Sequence, residues 1–284
     1  MRLYLSHLLV LFGAVVGVLS VATSADARRP MSAVEIVRLT GFDRALDDVA
    51  TSLAEEGVRA AAEGHATGDS QEFILSWASA AKAAFAPEKL KAALADRMAD
   101  KLSEPDLFAI EDFFKGKLGK AMVAREVGSA TPEAQRDMMA KADGLMRGLQ
   151  RNPKRAAALV AVADAIRLRE ASVEMALNML RAVMIGLAAA DTSQLSMPLD
   201  VIEEQIEAHR ASITAETEMV IMTAMAYTYR TASIADLNAY AKFLSSPPGK
   251  RFFDVSMKGL DAVLSEAGMT FGTLLMQSMG RMPI

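Results

Sequence analysis

The chain has 284 residues, a formal net charge of −4, no cysteine, 52% hydrophobic residues and only 6% aromatics. Without cysteine there is no disulfide framework, no thiol nucleophile and no sulfur-ligated zinc site. A mildly acidic chain without a basic tail is not built to hold nucleic acid, and its length suits one large domain or two small ones.

The first element is an export signal. Arg2 gives a short basic start, Leu8 to Val21 is apolar and uncharged, and Ala25-Asp26-Ala27 supplies the small residues that a signal peptidase requires. Residues 1–27 therefore read as a signal peptide cleaved before Arg28. The competing reading is an uncleaved anchor, since Leu8 to Ala25 is almost long enough to span a bilayer. Arg2 and Asp26 leave together, so cleavage does not change the net charge. Beyond the signal, the longest apolar stretch counted is Val183 to Ala190, too short to cross. The expectation is a soluble exported product without a transmembrane anchor, with the periplasm as its address.

The remainder is expected to be all-α. Alanine, leucine and methionine dominate, prolines sit at segment borders, and no run of alternating β-branched residues suggests a strand. Helices are expected at 31–63, 70–84, 87–101, 104–115, 120–129, 132–150, 153–190, 199–231, 234–245 and 248–279. Ser103-x-x-Asp106 and Ser233-x-x-Asp236 have the form of capping boxes, each Ser contributing roughly 1 kcal/mol to a helix start. Thr131-Pro132, Asn152-Pro153 and Ser246-Pro247 put a cap residue before a proline at the first helical position, where the missing N–H costs nothing. In 153–190 and 199–231, apolar residues recur at steps of four and three, and Asp191-Thr192-Ser193 falls between them. The pair reads as an antiparallel hairpin.

One unit occurs twice. Ser103, Asp106, Leu107, Ala109, Phe113, Gly119 and Lys120 return as Ser233, Asp236, Leu237, Ala239, Phe243, Gly249 and Lys250, at a constant offset of 130 positions. So long a period implies an internal duplication rather than a solenoid. The expected architecture is a multi-helix bundle of two related halves, 28–151 and 152–284, after the signal.

The second copy resembles a bacterial family, the domain of unknown function 2059. The resemblance rests on Ser233-x-x-Asp236-Leu237 followed by Phe243-Leu244-Ser245-Ser246-Pro247-Pro248-Gly249-Lys250, with Leu244 where an aromatic is usual. The first copy keeps Phe113-Phe114 and Gly119-Lys120 but has Gly116-Lys117 in place of Ser-Pro, so the tighter match is to the second. Ala33 to Gly41 is similar to the opening helix of such a domain. The resemblance implies an exported all-helical protein without an assigned activity, and it transfers no catalytic residue.

Candidate chemistry is sparse. His65 and His209 are the only histidines after the signal, and neither has the helical spacing of a metal pair, so no metal and no cofactor is expected. Met219, Met222 and Met225 could hold copper, although methionine at helical spacing more often fills a core. No nucleophile elbow or phosphate loop is present, and adjacent acids such as Glu203-Glu204 diverge on a helix, so no catalytic residue is assigned. Glu170, His209 and Glu216 interrupt the two apolar stripes. Pairing about residue 195 brings Glu216 near Glu170, either to set register or to line a functional polar pocket, with Arg167, Arg169, Tyr227 or Tyr229 as partners. Finally, Lys120, Lys154-Arg155 and Lys250-Arg251 place bases at helix starts. Gly249, Lys250, Arg251 and Lys120 form a candidate anion site, unless the bases pair with nearby acids. The expected function is a non-catalytic envelope module that binds a protein partner, the alternative being a carrier of an apolar or anionic amphiphile. No nucleic acid is expected as a partner.

Overall fold

Helix starts are written into the chain by caps and prolines, and the structure, a computed structural model, follows them closely. It describes residues 29–47, 49–64, 70–190 and 198–279. The expected signal peptide, His65 and the 191–193 turn lie outside these residues. The described residues form thirteen helices and no strand, so the protein is all-α. In chain order the helices are α1 (Ala33–Leu39), α2 (Phe42–Ala45), α3 (Val49–Ala62), α4 (Ser70–Ala84), α5 (Pro87–Met98), α6 (Glu104–Lys115) and α7 (Lys117–Ala130). Next come α8 (Pro132–Arg151), α9 (Pro153–Ala165), α10 (Leu168–Ala190), α11 (Leu199–Thr228), α12 (Ile234–Leu244) and α13 (Pro247–Met279).

Two expected helices are broken. The span 31–63 is interrupted at Gly41, which takes φ 79° and ends α1 within a turn. The span 153–190 is interrupted at Ile166-Arg167. Arg167 adopts φ 51°, and its N–H bonds to Asp164 O at 3.1 Å. A left-handed arginine costs roughly 1–2 kcal/mol, which is offset where the redirected chain buries Leu168. Apolar periodicity alone cannot register such a break, because the stripe continues on both sides of it.

Packing is a row that folds back on itself. α3 lies on α4, α4 on α13, α13 on α10 and α10 on α11, while the end of α11 turns onto α7 and α8, and α9 packs on α12. A single core joins both halves of the chain, from Ile36, Phe85, Leu94 and Ile110 to Leu159, Tyr240, Phe252 and Leu264. α10 and α13 run parallel in the closest contact of the fold. A Cβ on Gly186 would stand 2.1 Å from Met269 O, and one on Gly272 would stand 2.2 Å from Val183 O. Glycine is required at both positions because backbone touches backbone. Beside them Asn178 Nδ2 donates to both oxygens of Asp261, at 3.1 and 2.9 Å.

α10 corrects the sequence reading of apolar stretches. Over 23 residues, at a mean hydropathy of 1.5, it is long and apolar enough to cross a membrane by length and composition. The sequence count had stopped at Arg181. That charge and Glu174 are matched by α11, through Arg181–Glu203 at 2.7 Å and Arg210–Glu174 at 3.0 Å. α10 is occupied on one side by α13 and on another by α11.

Residues 103–120 and 233–250 fold alike. Ser103 Oγ accepts from Asp106 N, and Ser233 Oγ accepts from Asp236 N at 3.0 Å. Gly119 and Gly249 make the same approach, a Cβ on either lying 2.2 Å from Phe113 O or Phe243 O respectively. The order of buried, half-buried and exposed positions in 111–120 is repeated without a change in 241–250. The two segments also meet, with the Phe113 and Phe243 rings stacked 3.6 Å apart at 2°.

Candidate functional site

The start of α13 was the first candidate, and its geometry corrects the anion-site reading. An anion at a helix start needs unsatisfied N–H groups. Pro247 and Pro248 have none, Gly249 N donates to Ser246 Oγ at 3.3 Å, and Lys250 N donates to Ser246 O at 2.9 Å. Gly249 is buried and serves the close approach to Phe243 rather than access for a ligand. Arg251 is engaged too: its Nε donates to Asp106 Oδ2 at 2.8 Å and its Nη2 to Oδ1, a two-pronged pair with a carboxylate only 5% exposed. The guanidinium, helped by Ser103, holds the Asp106 carboxyl at about 2, well below its ordinary value. Lys250 and Lys120 are exposed side chains on α13 and α7. At the start of α9, Arg155 also turns inward, donating to Ala232 O at 2.9 Å and to Tyr229 O.

The polar seam is corrected as well. Glu170 and His209 are exposed and Glu216 is half-buried. His209 Nδ1 lies 2.6 Å from Gln205 O, and Glu216 accepts from Ser212 at 3.0 Å, each within α11. The seam between α10 and α11 is instead Val173, Ala176 and Leu177 against Ile202, Ile206 and Ile213, continued by buried Thr217 and Ile221. A stripe written at 3.5 residues per turn drifts around a helix of 3.6, so after Ile213 the next buried positions, Thr217 and Ile221, stand one residue beyond the counted Glu216 and Val220, while Thr223 and Tyr227 are buried as counted. The pairs Arg181–Glu203 and Arg210–Glu174 both centre the hairpin on position 192, which sets Glu216 level with Leu168, within a turn of Glu170, but exposed Glu170 and half-buried Glu216 flank the apolar seam rather than lie in it. The methionines do not form a set: Met219 is 65% exposed while Met225 is buried.

The chemically distinctive cluster is one that the sequence reading missed. On α7, Gly119, Met122, Val123, Glu126 and Ser129 share the buried face. Glu126 is only 2% exposed, and its Oε1 accepts from Tyr240 Oη at 2.9 Å and from Tyr229 Oη. Burial pushes the Glu126 carboxyl above its ordinary range against the pull of both hydroxyls. Burial, followed by the neighbouring carboxyl, pushes the two phenols well above theirs. Tyr229, considered earlier for the seam glutamates, is committed here, and Tyr227 donates to Asp137 at 2.8 Å. The signal was present in the sequence as an acid in phase with Met122 and Ser129. It was hidden because the donors to Glu126 lie about a hundred residues away.

Beside the cluster is a cavity of about 30 Å³, lined by Ser129, Val162, Met225, Thr228, Tyr229 and Tyr240 among others. That is room for about one water molecule and for no organic substrate. The cluster can retain a proton and pin α7 to α11 and α12. A second opening is a solvent-facing groove of about 370 Å³ between α4 and the end of α13. It is lined by Leu75, Ser76, Ser79, Ala80 and Ala83 of α4 and by Leu274, Gln277 and Ser278 of α13. Leu75 is 64% exposed there.

These features define an all-α protein with one shared core, a closed polar cluster inside it and an open groove on its surface. Residues 88–152 match the model of the domain of unknown function 2059 family, described as an uncharacterized protein conserved in bacteria. The match runs from α5 through α8 and so falls on the first copy, whereas the sequence reading had found the tighter resemblance in the second. No curated protein and no solved structure matches the chain.

Proposed function

We propose that this is an exported, non-catalytic binding module of the bacterial cell envelope, released into the periplasm by cleavage after Ala27 and built by duplication of one helical unit. The groove between α4 and α13 carries this reading. It is open and lined by small residues together with Leu75 and Leu274, a form that accepts apolar side chains of a protein partner. The matching caps and glycines of 103–120 and 233–250, and the shared exposure order of 111–120 and 241–250, support the duplication. The alternative, a carrier of an amphiphile, needs an internal chamber; the cavity beside Glu126 is far too small for an acyl chain.

Native mass spectrometry on protein taken gently from its own envelope tests the two readings together. A co-purifying polypeptide that is lost when Ser79→Trp fills the groove supports the interaction module. A co-purifying mass of lipid size, retained in Ser79→Trp, replaces it with the carrier. Amino-terminal sequencing of the same sample should begin at Arg28; a start at Met1 refutes the cleaved signal.

A further inference from the structure

The stacking of Phe113 on its own counterpart Phe243 places a two-fold relation between the copies. A residue meets its equivalent only beside such an axis, and every other contact should then recur with the roles exchanged. Several do. α6 packs on α13 and α7 on α12. Thr228 Oγ1 donates to Ser129 Oγ at 2.8 Å, and their counterparts Met98 and Gly259 also face each other, a Cβ on Gly259 standing 3.9 Å from Met98 Cγ. Glu126 lies beside the end of α11, and its counterpart Ser256 lies 4.0 Å from Met98 Sδ at the end of α5. The arrangement is that of a symmetric dimer contained in one chain.

The polar contacts break this symmetry in one direction. Glu126 and Asp106, two buried acids at the junction, both belong to the first copy, and the donors that reach them across it, Tyr229, Tyr240 and Arg251, all belong to the second. At the exchanged positions stand Ser256 for Glu126, Ile110 for Tyr240, Ala99 for Tyr229 and Ala121 for Arg251, while Asp106 is matched by Asp236. Arg97–Glu266 and Arg125–Thr231, which run the other way, lie at the surface.

We infer that Glu126 with Tyr229 and Tyr240, and Asp106 with Arg251, form a pairing code that admits only first-copy-with-second-copy association, so that the partner surface of each repeat is consumed within its own chain. Two first copies would bury Glu126 against Ile110 and Ala99 with no donor. Two second copies would leave Tyr229 and Tyr240 facing Ser256 without a carboxylate acceptor, although Arg251 would still meet Asp236, the counterpart of Asp106. An unpaired buried charge or donor is penalised far more than a satisfied one is rewarded, which is how an interface rejects the wrong mate. Partners of the protein therefore dock elsewhere, and the chain does not pair with a second chain through this surface. The inference rests on the duplication reading.

Moving the lock across the axis in the full chain tests it. Glu126→Ser with Ser256→Glu places the acid opposite Ile110, and should lower the melting temperature by about 10 °C. Adding Ile110→Tyr and Tyr240→Ile returns a donor to the acid and should recover at least half of that loss, with the protein monomeric by light scattering. Should the two-residue variant not fold, a folded four-residue variant is the same recovery. No recovery, or no folding of the four-residue variant, overturns the code. The duplication is judged separately: Phe113→Ala and Phe243→Ala should lower the melting temperature alike, and a disparity above about 5 °C, more than 1 kcal/mol for this length, removes the two-fold relation itself. Dimers of the unaltered chain that are dispersed by Phe113→Ala would also overturn the code.

Discussion

Gly272→Ala sets the close α10–α13 contact against helix propensity, and the structure decides the sign. The added Cβ would lie 2.2 Å from Val183 O, 2.9 Å from Leu187 N and 3.1 Å from Val183 C. All three are backbone atoms of α10, so no rotamer change can relieve the clash. The helices must separate by about 1 Å to reach ordinary van der Waals contact, opening a seam that also holds Gly186 and the Asn178–Asp261 bonds. Overpacking of this kind costs about 3 kcal/mol, while replacing glycine by alanine inside a helix returns about 1 kcal/mol. The net expectation is a loss of about 2 kcal/mol, or about 4–8 °C in melting temperature for a chain of this size. Gly128→Ala in α7 is the control, because a Cβ there meets nothing within 4 Å. It should gain up to about 1 kcal/mol from propensity alone. Differential scanning calorimetry of the two variants beside the parent reads both signs. A Gly272→Ala protein as stable as Gly128→Ala would refute the backbone contact and the parallel packing drawn from it.

Three further expectations concern buried polar groups. Glu126 has its carboxyl raised above the ordinary 4.5, so its contribution is fully present below that pH and is lost as pH rises through the folded value. Glu126→Gln keeps an acceptor for the tyrosines and should therefore match the parent near pH 4 and exceed it in urea midpoint at pH 8; equal pH profiles would contradict the burial. Asp106 is the opposite case: its carboxyl is lowered from 3.8 to about 2, so the pair stabilises above 3.8 and fails as pH falls through about 2. Arg251→Met should accordingly move the acid-unfolding midpoint to higher pH, as followed by circular dichroism. Thr217 is fully buried and its hydroxyl has no hydrogen-bond partner among the described residues. Thr217→Val keeps the shape, removes the desolvated group and should stabilise by about 1 kcal/mol, with any loss counting against the α10–α11 register.

Local chemistry made much of this fold legible in advance. A serine three residues before an aspartate, or a cap residue before a proline, acts within one turn of helix, so the starts of α6, α8, α9 and α12 could be read directly. The constant offset between Ser103 and Ser233 needed only the residues themselves. The break at Arg167 could not be read, because a left-handed arginine is imposed by where Leu168 must be buried rather than by its own preference. The seam residues were misplaced for a related reason: a stripe counted at 3.5 residues per turn leaves the true buried face within a few turns, and only contact with α10 shows that Thr217 rather than Glu216 is inside.

The candidate site divides along the same line. From Gly249-Lys250-Arg251 the sequence shows a glycine and two bases at a helix start, which is also what an anion site would show. The tertiary structure spends Gly249 on Phe243, Arg251 on Asp106 and the free N–H groups on Ser246. Glu126 is the converse, an unremarked acid on a short helix whose meaning comes from Tyr229 and Tyr240. The sequence by itself determined that the chain is helical, where most helices begin and that one residue pattern returns 130 positions later, since these depend on interactions within a few residues or on identity alone. Only the tertiary structure decided which charges are buried and which residues meet across the two copies, because desolvation and pairing depend on atoms brought together from more than a hundred residues apart.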